Sequence, residues 1–169
     1  MNLKKALIAA ASGAVLLLSP LMAQAADWPV TVKDMDNRTV TIPQEPQRII
    51  LQDGRDIFAL ALLERDNPFA KVVAWNNLPK KQDTQTWDVL KRKWPEAEKI
   101  LDMQFSDQGN VDLETIISRH PDLMIAQLRA KPSLVQSGVL AKLEALHVPV
   151  VFVDYELHPV ENTDRKRHV

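Results

Sequence analysis

Two arginines and two aromatic residues follow short apolar runs in this chain, and their types suit the recognition of an anion. Arg55 follows Gln52 and Asp53; Trp75 is followed by Asn76; Arg129 follows Gln127; and Tyr155 lies between Asp154 and Glu156. A guanidinium pairs in a fork with carboxylate, catecholate or hydroxamate oxygens, and aromatic rings add apolar contact. The set Arg55, Trp75, Asn76, Gln127, Arg129 and Tyr155 is therefore read as a ligand-binding rim. The competing reading is that Arg55 and Arg129 pair with Asp53, Glu156 or solvent.

Catalytic and metal chemistry find little footing. The chain has no cysteine, which removes disulfides, thiolate catalysis and Cys-ligated metals together. No nucleophile elbow, Walker loop or dinucleotide fingerprint occurs. His120, His147, His158 and His168 lack the i, i+4 spacing of a helical metal site. No serine has a partnered base. The chain is read as a binding protein, not an enzyme, with no catalytic residue, resident cofactor or metal. A formal charge of −1 gives no basic excess that would suit nucleic acid.

The elements that position the rim follow from periodicity. Strands are expected near residues 48–51, 72–75, 122–126 and 149–153, with a short extended piece at Ile100 and Leu101. Helices are expected between them. One spans Asp56 to Glu64, apolar almost all round and so packed on most sides. A second begins at Asp83 as N-cap and stops before Pro95, after a polar loop from Asn76 to Asp83. A third is capped by Asp112 and ended by His120-Pro121. A fourth runs from Pro132 to His147 with Gly138 inside it. Val30 to Ile42 reads as a β-hairpin turning through Asp34 to Arg38. Strands alternating with helices predict an α/β fold, a Rossmann-like parallel sheet flanked by helices, preceded by a small hairpin. Such sheets bind ligands at the carboxyl ends of their strands, where the rim residues fall.

The ends of the chain differ from this body. Residues 1–25 carry Lys4 and Lys5, an apolar run from Ala6 to Leu18, and Ala23-Gln24-Ala25, the pattern of a cleaved secretory signal peptide. The expected address is the periplasm. Residues 27–163 are expected to form one domain, and residues 164–169 a charged tail.

Three blocks carry a resemblance. VTVKDMDNRTVTIPQEPQRIIL from Val30, VDLETIISRHPDLMIA from Val111 and VLAKLEALHVPVVFVDY from Val139 are similar to blocks of the periplasmic substrate-binding proteins of ABC importers for iron–siderophores, haem and cobalamin. Asn37 and His147 stand where that family most often has glycine. The resemblance implies two α/β lobes joined by one long helix, with ligand held between them and a glutamate on each lobe docked on permease arginines. Glu114 matches the docking glutamate of the N-terminal lobe. It further implies a ferric siderophore, a small-molecule iron chelate, as ligand, with haem or cobalamin as alternatives. The chain matches only the first lobe, so it is expected to be truncated, monomeric, and weak or deficient in binding. The alternative is a stand-alone lobe that docks on the permease.

Overall fold

A computed structural model of the chain describes residues 27–103 and 113–154. The expected leader (residues 1–25), the expected cap Asp112, Tyr155, Glu156 and residues 164–169 lie outside the described residues. Strands β1 (Val30–Lys33) and β2 (Thr39–Ile42) form an antiparallel hairpin. Its turn holds Asn37 at φ 59°, the left-handed conformation that suits asparagine or glycine.

The main sheet contains β3 (Ile49–Leu51), β4 (Val72–Trp75), β5 (Leu101–Asp102), β6 (Leu123–Gln127) and β7 (Val150–Val153), all parallel, in the order β5-β4-β3-β6-β7. The chain runs outward from β3 through β4 to β5. It then crosses to the other side of β3 for β6 and β7. The order reverses between β3 and β6, so the crevice beyond their carboxyl ends is the topological switch point.

Helices cover both faces. Ile50, Ala74, Met124, Ala126 and Phe152 pack with Ile116 of α4 (Leu113–Ser118), Leu134 of α5 (Lys131–Gln136), and Val139 and Leu143 of α6 (Val139–Ala145). Ile49, Leu51, Val72, Trp75 and Leu123 pack on the other face with Ile57 of α1 (Ile57–Leu63) and Trp87 of α3 (Thr84–Lys93). Ile49 pairs with Val72 but Ile50 with Ala74, so β4 carries one extra residue there. This bulge returns Trp75 to the face that Val72 occupies.

Several local expectations hold. The Asp83 carboxylate accepts from the Thr86 backbone N–H at 3.0 Å and starts α3, which ends at Lys93 before Pro95. His147, at φ 57°, closes α6: its N–H reaches Glu144 O and the Val148 N–H reaches Leu143 O, both at 2.9 Å. That is the double bond of a glycine-type C-cap, made here on a histidine.

Three expectations need correction. The helix expected from Pro132 to His147 is two helices, because Gly138 adopts φ 77° and turns the chain between α5 and α6. The expected loop from Asn76 to Asp83 contains a further helix, α2 (Leu78–Gln82), capped by the Asn77 side chain and begun with Pro79. Helix α1 is not packed on most sides. It buries Ile57 and exposes Phe58, Leu62 and Leu63, the last two by 74% and 80%.

The hairpin turn is anchored to the outer edge of β7. The Met35 N–H donates to Phe152 O at 3.0 Å, Arg38 Nη2 donates to Val150 O at 2.7 Å, and the Phe152 N–H donates to Asp34 Oδ2 at 3.3 Å. The Arg38 guanidinium lies 4.7 Å over the Phe152 ring and is itself held by Asp34 at 2.6 Å.

Candidate anion-binding site

The sheet ladder continues one residue past β3, β4 and β5, and that continuation sets the rim. The Gln52 N–H donates to Ile125 O at 2.9 Å, the Asn76 N–H to Leu51 O at 3.1 Å, and the Met103 N–H to Trp75 O at 2.8 Å. Gly54 then lets the loop after β3 press onto the end of β4. A Cβ at this position would lie 2.1 Å from the Asn76 carbonyl oxygen, so no other residue fits this approach.

A 3-10 turn, Gly54–Asp56, follows, capped by Asp53, whose Oδ1 accepts from the Arg55 N–H at 2.9 Å. The Arg55 guanidinium folds back in a fork onto the same carboxylate, Nε to Oδ1 at 2.9 Å and Nη2 to Oδ2 at 2.6 Å. Arg129 arrives from the 3-10 turn after β6, Leu128–Ala130, and donates through Nη2 to Asp53 Oδ2 at 2.9 Å. One carboxylate thus holds two guanidinium groups that come from either side of the switch point. Its side chain is fully buried, while those of Arg55 and Arg129 are 46% and 38% exposed. Burial alone would raise the Asp53 carboxyl. The hydrogen bonds from Arg55 and the charges of both arginines outweigh it and hold the group below its ordinary value.

Above this clamp lies an open pocket of about 350 Å³, lined by Gln52, Asp53, Arg55, Asn76, Leu78, Gln82 and Arg129. Three of the expected rim residues, Arg55, Asn76 and Arg129, come together here. The competing expectation is realised as well, since both arginines pair with Asp53. Asn76 Oδ1 accepts from Lys81 Nζ at 2.8 Å, and Lys81 also reaches Asp102 at 2.9 Å.

Two expected rim residues do not reach the pocket. Trp75 is fully buried, with its ring edge-on to Phe69 at 5.6 Å and tilted against Trp87 at 5.8 Å. Gln127 is also buried; its backbone N–H donates to Gln52 Oε1 at 3.1 Å, and its Nε2 donates to Asp56 Oδ1 at 3.0 Å. Each is the last residue of its strand. The pleat still directs a side chain there into a helix layer, and only residues beyond the strand can turn up to the rim. Tyr155 lies outside the described residues.

Asp56 is the site residue that periodicity misses, because it reads as the first residue of an apolar helix. The available signal is Asp53-Gly54-Arg55-Asp56, two acids and a base around a glycine directly after a buried strand. Asp56 is buried behind the clamp. Burial first, and then the charge of Asp53, push its carboxyl up to about 7 against the Gln127 hydrogen bond and the two arginines.

A larger groove of about 820 Å³ lies between β2, α6 and the start of β7. Its walls include Val40, Val135, Leu140 and Val148, and its arginine, Arg38, is engaged by Asp34 and Val150 O. The smaller pocket has the paired cations and the switch-point position, so it is the candidate site.

No protein-family model matches the sequence, and no curated protein matches it. Solved structures do match. The TroA-like periplasmic binding protein FepB from Veillonella parvula superposes with a TM-score of 0.68 at 21% identity, over 75% of this chain and 37% of that one. The molybdate periplasmic binding protein MolA of Haemophilus influenzae, solved with molybdate, gives 0.54 at 20% identity, over 74% and 34%. ViuP in its holo form gives 0.52 at 24% identity, over 76% and 38%. This chain has the fold of the TroA-like periplasmic binding proteins and spans a little over a third of their length.

Proposed function

We propose that this chain is the N-terminal lobe of the substrate-binding protein of an ABC importer, and that its ligand is an anionic iron chelate, a ferric siderophore. The observation that carries this reading is the meeting of Arg55 and Arg129 over Asp53 at an open pocket on the switch point. Two guanidinium groups already fixed by a buried carboxylate lose little freedom when they donate to the oxygens of a ligand. The shared fold supports the transport reading. Arg55, Asn76 and Arg129 contact ligand from this lobe, with Tyr155 proposed from its sequence position as a further contact, while Gln127 positions the site from beneath.

Within the same reading, residues 1–25 are a cleaved leader, residues 27–163 the lobe, and residues 164–169 a tail foreign to it. The protein works in the periplasm, as a monomer. Calorimetric titration with the ferric complex of 2,3-dihydroxybenzoate, a ferric hydroxamate, haem and cobalamin tests the ligand class. The expected result is binding of a ferric chelate that weakens about tenfold or more in the Arg55→Ala/Arg129→Ala variant. Unchanged affinity in that variant overturns the anionic-chelate reading. Binding of haem or cobalamin alone selects one of those ligands instead.

A second reading rests on Glu114, which is exposed in the first turn of α4. There the lobe docks on a permease without carrying ligand. That reading predicts that Glu114→Arg abolishes permease capture while the double arginine variant leaves it intact. Capture lost only in the arginine variant refutes it.

A further inference from the structure

The ligand reading leaves one buried acid without a task. Asp56 sits directly behind the arginine clamp, its N–H bonded to Asp53 O at 3.1 Å and its Oδ1 to the Gln127 side chain at 3.0 Å. The charged groups facing it are Asp53 from the loop after β3, Arg55 from its own turn, and Arg129 from beyond β6. Helix α2 also packs against this turn, but its Lys81 is directed at Asn76 and Asp102. Two arginines therefore face two buried carboxylates.

We propose, resting on the ligand reading above, that anion binding at Arg55 and Arg129 is coupled to uptake of one proton by Asp56. Asp53 is the resident anion of the site: it holds both guanidinium groups and is already in place before any ligand arrives. With Asp56 also ionised, the four charges cancel, and an incoming anion meets a site with no net attraction. With Asp56 protonated, the same four groups carry one positive charge, which matches one negative charge on the ligand. A ligand carboxylate, catecholate or hydroxamate that joins the arginines adds a negative charge close to Asp56 in a poorly solvated region. That charge favours the neutral acid. The proton comes from solvent onto the Asp56 carboxylate, the ligand stays deprotonated, and the net charge of the occupied site is unchanged. Because the Asp56 carboxyl titrates near neutrality, this proton is exchangeable under ordinary conditions. The ligand class that follows is an anion presenting a single negative charge to this lobe, bound more tightly as the medium becomes more acidic.

The test is calorimetric titration with 2,3-dihydroxybenzoate, whose single carboxylate charge is constant across the range, at about pH 5.5 and about pH 8.5 in buffers of different ionisation enthalpy. Wild type is expected to bind on the order of 30-fold more weakly at the higher pH, taking up close to one proton per ligand there and almost none at the lower pH. Asp56→Asn, which keeps an oxygen for the Gln127 amide, is expected to vary by no more than about twofold and to take up no proton. Arginine-dependent binding that is flat with pH in wild type overturns the coupling and leaves the ligand reading standing. So does pH dependence that persists in Asp56→Asn. No binding at either pH, or binding indifferent to Arg55→Ala/Arg129→Ala, overturns both. Should Asp56→Asn fail to fold, carboxyl carbon NMR of wild type decides: saturating 2,3-dihydroxybenzoate is expected to raise the Asp56 midpoint, and an unmoved midpoint refutes the coupling.

Discussion

Replacing Asp56 by asparagine removes an acid whose native environment resists ionisation, and its effect on folding can be worked out without reference to any ligand. The carboxyl has an ordinary value of 3.8 and is pushed up to about 7 in the folded chain, first by burial and then by Asp53. The folded state therefore binds this proton more tightly than the unfolded state. The stability contributed by the protonated acid is full below about pH 3.8 and is lost as pH rises toward and through 7. Linkage puts the loss at roughly 1 kcal/mol by pH 4.5 and on the order of 4 kcal/mol by pH 8. Asparagine has no such loss. Any constant difference between asparagine and a protonated aspartate cancels when the two conditions are compared. The stability of Asp56→Asn relative to wild type is thus expected to rise by roughly 3 kcal/mol from pH 4.5 to pH 8. Asp53 runs the other way, its depressed value costing stability as pH falls, but it is present in both proteins and drops out of the difference. Urea unfolding followed by far-ultraviolet circular dichroism at the two pH values measures the quantity. Curves for the two proteins that stay parallel, within about 0.5 kcal/mol, would mean that Asp56 is ionised without penalty, and the account of its burial would be refuted.

Other substitutions probe the framework. Gly54→Ala forces a Cβ against the Asn76 carbonyl and is expected to cost about 2 kcal/mol or more while disturbing the amides of Asn76 and Arg55; an unchanged urea midpoint and amide spectrum would contradict the close approach. His147→Gly relieves the left-handed position that closes α6 and is expected to stabilise the fold by about 0.5–1 kcal/mol, read as a higher midpoint. Leu62→Glu with Leu63→Glu is expected to leave stability within about 0.5 kcal/mol, because both side chains are exposed; a large loss would show that α1 is covered. Trp75→Phe is expected to leave anion affinity unchanged, since the ring lies in the core and not at the rim; weakened binding would return Trp75 to the site.

The strands were legible because each is a short apolar run bounded by prolines, glycine or polar residues, and such runs have few other homes in a chain of this composition. Asn37 and His147 stand where the resembled family most often has glycine, and both adopt the left-handed conformation. What could not be read depended on neighbours. Seven apolar residues in α1 suggested burial, but burial needs a partner layer, and only Ile57 is fully covered by one, with Leu60 packed partly against it. The helical spacing from Leu134 to Leu146 persists across Gly138, so periodicity alone does not reveal the break. The candidate rim residues within the described chain lie at or just past strand ends, and the pleat decides which side chains reach the pocket. Asn76 and Arg129 lie past their strands, whereas Trp75 and Gln127 are still inside them. Asp56 was hidden because its role comes from Gln127 and Arg129, more than seventy positions away in sequence.

The anchoring of the hairpin turn on β7 bears on how this sheet meets other molecules. A strand at the margin of a parallel sheet offers outward N–H and C=O groups that can template pairing with another chain. Here Val150 O, Phe152 O and the Phe152 N–H are taken by Arg38, Met35 and Asp34. The turn occupies the bonding positions of a neighbouring strand without extending the sheet. Asp34 and Arg38 thereby act as a guard against edge-to-edge polymerisation, and their loss would appear as concentration-dependent association before it appeared as unfolding.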